Sequence, residues 1–267
     1  MCWLHNLAII TGVLYLLSFV SKHVNYICKM FLYSCCYLIL AVVHMIYCPF
    51  FPKNRDNTYT LAPLFYHLSR FCLGITIEAE GTEHLESYEG GYILSPNHQS
   101  SLDTMCIARI WPHRAIILMK KSLMYVPFFG WAAYLSGHEF ITRKSGASNE
   151  VRDHMNIINE RIKNERLRVC VFPEGTRNKA FDGKMLPFKK GGFHMAQQCQ
   201  SPVVPVVIYI PPSVYDGKNW VFNSGVIRMK VLEPVSTVGL KPEDVTELTN
   251  SVQTKMQATL DELSKRA

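Results

Sequence analysis

The chain has 267 residues, 48% hydrophobic and 18% charged, with a formal net charge of +7. That length supports one sizeable core. The shortage of charge against the ~25% of an ordinary soluble domain is local, because residues 1–51 hold no Asp or Glu and only Lys22 and Lys29 as Lys or Arg. The basic balance suits anionic headgroups or phosphorylated substrates, and the lack of any Lys/Arg cluster interleaved with aromatics argues against a nucleic-acid partner.

Two apolar runs open the sequence, residues 7–20 and 30–47, separated by the polar stretch SKHVNYICK. They predict an N-terminal hydrophobic helical hairpin over residues 1–50, spanning or dipping into one leaflet. A cleaved signal peptide is the competing reading for the first run, which lacks a basic n-region and a small-residue cleavage site. The linker PFFPKNRDN ends the apolar region with two prolines and interfacial charge.

Residues 51–267 read as a single α/β domain, since short apolar runs alternate with longer mixed segments. Strands are predicted at GYILS (91–95), AIILM (115–119), RVCVF (168–172), VVPVVIYI (203–210) and VIRMKVLEPV (226–235). Helices are predicted at 61–72, 100–110, 149–164 and 192–200. A last one follows Pro242, with Val245, Leu248, Val252, Met256, Leu260 and Leu263 at spacings of three and four. Nine cysteines without a C-x-x-C pair indicate neither a zinc site nor a disulfide framework. They read as small buried hydrophobes in a reducing compartment, and the absence of any N-x-S/T acceptor agrees with a cytosolic face.

Two loops carry candidate chemistry. NHQSSLD (97–103) follows the GYILS strand, where α/β domains expose reactive side chains. There His98 and Asp103 can form a base and its orienting carboxylate. No G-x-S-x-G supplies a nucleophilic serine, and a substrate hydroxyl can fill that place; on spacing alone the pair also fits a helix cap. FPEGTRN (172–178) again comes just after an apolar strand, RVCVF. Gly175, Thr176 and Arg177 there offer a backbone N–H, a hydroxyl and a two-pronged guanidinium to a phosphate, and Glu174 is placed to orient Arg177 or a substrate hydroxyl. An ordinary strand-to-loop turn with a surface Arg is the alternative. Lys120, in KKS, and Arg143, in GHEFITR, add cations; position 142 is Thr, so His138-Glu139 does not open a zinc helix.

These blocks, in this order over residues 75–235, resemble the glycerolipid acyltransferase family. Asn97-His98 through Asp103 match its H-x4-D motif; Gly137, Phe140, Ile141 and Arg143 its second block; 172–177 its E-G-T-R block; and Val204-Pro205 its fourth. FPEGTRN, NHQSSLD and KKSLMYVPFFGW are most similar to the lysophosphatidic acid acyltransferases. The resemblance implies a mixed sheet flanked by helices behind the hydrophobic hairpin. It implies acyl transfer from acyl-CoA to the sn-2 hydroxyl of 1-acyl-sn-glycerol 3-phosphate without metal or organic cofactor. His98 and Asp103 would be catalytic, and Arg143, Glu174, Gly175, Thr176, Arg177 and Lys120 would bind substrate. The implied partners are acyl-CoA, lysophosphatidic acid and membrane lipid, at the endoplasmic reticulum with the domain facing the cytosol. The rivals are an acyltransferase using glycerol 3-phosphate or another lysophospholipid, an acyl-CoA thioesterase, and a non-catalytic lipid-binding protein.

Overall fold

A computed structural model of the chain describes residues 21–52, 54–141, 149–178, 180 and 182–266, together with Trp3, Asn6, Gly12 and Val13; for 149–152 it describes the backbone alone. The apolar run at 7–20 lies outside the described residues apart from Gly12 and Val13.

Helix α1, Lys22–Tyr47, is continuous. The polar stretch expected to separate two helices is therefore its first two turns, and the reason lies in the spacing. Asn25, Lys29 and Tyr33 recur every four residues and share one face. Asn25 Nδ2 donates to Phe222 O at 2.8 Å, Lys29 Nζ to Leu73 O at 2.9 Å, and the Tyr33 hydroxyl to Ser101 O at 2.8 Å. The opposite face exposes Ile27, Phe31, Leu38, Ile39, Val42 and Ile46. A surface helix in water turns its apolar stripe inward and a polar one outward; α1 meets the domain with Asn25 and Lys29 followed by Tyr33, Cys36 and Ala41, and directs a second, apolar stripe away from it.

Helix α2, Asp56–Leu73, starts before the predicted 61–72 because Asn54 Oδ1 accepts the Asp56 N–H at 3.0 Å, and the helix runs through Pro63. Gly74 ends it at φ +67, its N–H returning to Arg70 O. The strands are β1 Ile75–Glu80, β2 Ile93–Pro96, β3 Ala115–Lys120, β4 Glu139–Ile141, β5 Arg168–Cys170, β6 Val203–Tyr209 and, beyond a small hairpin of β7 Tyr215–Asp216 and β8 Val221–Phe222, β9 Gly225–Val231. Seven of them form one sheet in the order β1-β9-β6-β2-β5-β3-β4. Strands β2 to β6 run parallel, while β9 pairs antiparallel with β6 and parallel with β1. Pro205 lies inside β6 and accepts the Leu232 N–H at 2.9 Å. The ladder between β6 and β9 begins only at Val206 opposite Val231, so the missing proline donor falls at its end.

Alternate residues of the inner strands feed two cores. Leu94, Cys170, Val204, Val206 and Ile208 pack with Tyr33, Phe65 and Met105 from α1, α2 and α3 (Asp103–Arg109). On the other face Ile93, Val169, Val203 and Val207 pack with Ile158, Phe193 and Met256 from α5 (Asn149–Glu165), α6 (Gly191–Cys199) and α7 (Val245–Lys265). The stripe predicted on α7, from Val245 to Leu263, is buried at all six positions. Helix α3 is shorter than the predicted 100–110, and α4, Phe129–Leu135, lies between β3 and β4.

Candidate active site

Strands β2 and β5 are parallel neighbours, with Ile93 opposite Val169 and Leu94 opposite Cys170. The two motif loops that follow them therefore leave the sheet at the same edge. Asn97 fixes the first turn by imitating one more strand residue: its Nδ2 donates to Ile208 O at 3.0 Å and its Oδ1 accepts the Ile208 N–H at 2.7 Å.

His98 and Asp103 meet. The ring Nδ1 lies 2.7 Å from Asp103 Oδ2, and the same oxygen accepts the N–H groups of Gln99 at 2.7 Å and Ser100 at 3.0 Å. A carboxylate oxygen already holding two amides acts as acceptor, which assigns the imidazole proton to Nδ1 and leaves Nε2 with a lone pair. The Asp103 side chain is 1% exposed and that of His98 24%. Burial pushes the Asp103 carboxyl above the usual carboxylate range, opposed by His98 and by the two backbone amides. Phe172 lies against the imidazole with ring centroids 4.2 Å apart. The dyad is thus a base with one face packed, one nitrogen anchored and one nitrogen available.

Glu174 departs from its predicted role. Its Oε1 accepts the His98 N–H at 2.7 Å and its Oε2 the Leu186 N–H at 2.9 Å, and the residue is 2% exposed. A buried carboxylate with both oxygens engaged by backbone is a staple between the two motif loops. Burial raises its pKa while those amides oppose the shift. Gly175 also differs from the expectation. Its N–H closes a turn onto Phe172 O at 3.0 Å, and φ +67 is the backbone conformation that favours glycine there.

His98, Gly175, Thr176, Arg177 and Lys120 line one cavity of about 590 Å³, within the ~300–1,000 Å³ of small-molecule pockets. Its wall is mainly apolar, with Leu40 and Ala41 of α1, Phe65 of α2, and Leu123, Val126 and Phe129 near α4. Lys120 ends β3, while His138 lies farther back along that strand, its Nδ1 accepting the Ile117 N–H at 3.3 Å. The cavity therefore runs from the polar loops into an apolar interior. Arg143 lies outside the described residues. Among the described residues no three His, Cys, Asp or Glu side chains gather as a metal would require.

A second recess of about 450 Å³ adjoins the first, and Ser101 and Arg177 line both. Gln99 of the first motif loop also lines it, and it adds Tyr26, Tyr215 and Lys218, residues that the motif blocks do not contain; the Tyr26 and Tyr215 hydroxyls are 3.2 Å apart. Neither Lys218 nor Lys189 follows from the sequence pattern. The only local signal is the basic doublet Lys189-Lys190 ahead of Gly191-Gly192.

The family model described as Acyltransferase matches residues 76–209. The 1-acyl-sn-glycerol-3-phosphate acyltransferase of Saccharomyces cerevisiae is 38% identical over 223 residues, covering 84% of this chain and 72% of that one. The alpha form from Homo sapiens is 36% identical over 248 residues, covering 93% and 86%. The crystal structure of the 1-acyl-sn-glycerophosphate (LPA) acyltransferase PlsC from Thermotoga maritima has the same fold, with a TM-score of 0.67 at 24% identity over 89% of this chain and 96% of that chain.

Proposed function

The chain belongs to the acyltransferase family, and we propose that it moves a fatty acyl chain from acyl-CoA to the sn-2 hydroxyl of 1-acyl-sn-glycerol 3-phosphate, giving phosphatidic acid and free CoA. The observation that carries this reading is the His98–Asp103 pair, 2.7 Å apart, at the mouth of an apolar cavity that also holds Thr176 and Arg177.

In this mechanism His98 Nε2 takes the proton of the acceptor hydroxyl as that oxygen attacks the thioester carbon. The C–S bond then breaks, and the CoA thiolate recovers the proton from the imidazolium. Asp103 holds the ring and stabilises its positive charge. Since the acceptor supplies the nucleophile, no acyl-enzyme forms. Arg177 and Thr176 hold the acceptor phosphate, with Lys120 beside them and Arg143 assigned to the same task from its motif. Glu174 and Gly175 act through the loop they shape. The reaction as written balances without a metal or organic cofactor, acyl-CoA being a substrate.

Helix α1 is long and apolar enough to cross a membrane, and its polar face is docked on the domain from Asn25 to Tyr33. A helix held this way brings the active site to the membrane surface, where acceptor and product reside. With CoA as a cytosolic donor, the proposed orientation has the site on the cytosolic side, and the endoplasmic reticulum is the membrane proposed. The test is an assay of purified protein in detergent with one labelled acyl-CoA and a panel of lysolipids plus glycerol 3-phosphate. Phosphatidic acid is the expected product; free fatty acid alone, or preferred acylation of glycerol 3-phosphate, overturns the reading.

A further inference from the structure

Residues 115–138 contain no Asp or Glu, and Lys120 and Lys121 are the only Lys or Arg among them. Six large apolar side chains within twelve residues are exposed there: Leu123 38%, Tyr125 74%, Val126 42%, Phe128 46%, Trp131 66% and Tyr134 53%. The segment is a built element. Val126 N–H bonds Leu123 O at 3.2 Å and Gly130 N–H bonds Val126 O at 2.9 Å, and a Cβ on Gly130 would lie 2.0 Å from Met124 O. Helix α4 buries Gly130, Ala132 and Ala133 while presenting Trp131 and Tyr134 outward. Phe128 is held at φ +63, a costly conformation for a bulky residue, with its ring exposed. A monomer in water has no use for such a surface, whereas Trp and Tyr beside lysines are the composition of a membrane interface.

The position of the segment identifies its occupant. Helix α4 packs against α1, and Cys48 Sγ lies 3.8 Å from Ser136 Oγ where the two elements end. Phe50 at 76% and Phe51 at 46% exposure extend the outward face of α1 at that junction. The apolar surface is thus continuous with the helix that, among the described residues, is long and apolar enough to cross a bilayer. Both elements also line the cavity, α1 through Leu40, Ala41 and His44, and the segment through Leu123, Val126 and Phe129.

We propose that residues 121–134 insert into an anionic lipid leaflet as a second membrane contact carried by the catalytic domain itself, and that the seam between this segment and α1 is the lateral door through which a lipid chain enters the cavity. The door, unlike the insertion, rests on the lipid acyltransferase reading. Lys120 and Lys121 take the headgroup level, with Tyr125, Phe128 and Trp131 below them.

The experiment uses the full chain reconstituted in vesicles of phosphatidylcholine and phosphatidylserine with brominated acyl tails. Trp131 emission is read as the difference between the parent protein and Trp131→Phe, and quenching by the tail bromines is expected. A Trp131 signal as bright as in unbrominated vesicles overturns the insertion, including the case in which a second copy or another protein covers the segment. For the door, Tyr125→Glu with Trp131→Glu, neither residue lining the cavity, is assayed on vesicle-borne lysophosphatidic acid and on a short-chain, monodisperse lysolipid. The apparent KM on vesicles should rise about tenfold while the monodisperse value stays within about twofold. Equal changes in both assays overturn the door. Absence of acylation by the parent protein would sink the functional reading and leave the quenching result standing by itself.

Discussion

Glu174→Gln separates two roles that the sequence left joined. In the structure its two oxygens accept the His98 and Leu186 N–H groups at 2.7 and 2.9 Å inside a site 2% exposed. Glutamine keeps the shape but offers one oxygen, so its NH2 must face one of the two amides. That exchange loses a charge-assisted bond and leaves a buried donor unpaired, about 1.5–3 kcal/mol. Glu174→Ala leaves both amides unpaired and should cost roughly twice as much. Because one of those amides belongs to His98, the loss appears in kcat, which should fall about ten- to a hundredfold, with the KM of either substrate within about threefold. Thermal unfolding in detergent and steady-state kinetics on lysophosphatidic acid test both parts. A Glu174→Gln protein with unchanged stability and kcat but a raised acceptor KM would show that the carboxylate touches substrate and that the staple is incidental.

His98→Ala should lower turnover at least about a hundredfold with donor binding nearly unchanged, and near-normal turnover in a folded variant removes His98 from the mechanism. Asp103→Asn can place its carbonyl where Oδ2 now holds three donors. Its loss, about a hundredfold or more, should therefore fall on kcat with little unfolding; full activity would reduce Asp103 to a cap. Arg177→Ala should raise the KM for lysophosphatidic acid about ten- to a hundredfold and Arg177→Lys should recover part of that, whereas a raised acyl-CoA KM would reverse the substrate assignment. For His138, burial pushes the imidazole down to about 3, with His44 adding to the effect. The unfolded chain, at the ordinary ~6.5, takes up that proton first, so stability is full above ~6.5 and declines on acidification, by about 2 kcal/mol at pH 5. His138→Gln should flatten this decline in thermal scans, and an unchanged slope would assign it elsewhere.

The parts of the fold legible in the sequence are those where one physical requirement dominates. The inner strands are apolar on both faces and bounded by turn residues, and α7 carries a stripe whose spacing leaves one solution. Strands β1 and β4 are the two edges of the sheet. Ile75–Glu80 carries two exposed or half-exposed glutamates and Glu139–Ile141 spans three residues, so neither shows the continuous apolar run of an inner strand. In the site, residue types and their place after strands were enough to bring His98, Asp103, Thr176, Arg177 and Lys120 to one edge. What a local pattern cannot carry is the destination of each hydrogen bond. Glu174 looked like a group for substrate until its long-range partner Leu186 was in place, and the N–H of Gly175 was already engaged in its own turn.

Helix α1 makes the same point with a larger consequence. Read as a string, Asn25 and Lys29 interrupt hydrophobicity; read at one residue per 100°, they align with Tyr33 on the side that meets the domain. The docked face runs from Asn25 to Cys48, where Sγ meets Ser136, so at 1.5 Å per residue the contact extends about 35 Å, the thickness of a bilayer core and part of one headgroup layer. A helix fixed over that length cannot leave the domain behind in water while it enters lipid. Burying its outward apolar face must also draw in the neighbouring surface of α4, where Trp131 and Tyr134 are exposed. The polar residues that seemed to break a hydrophobic segment are, on this argument, what obliges the catalytic domain to share its membrane.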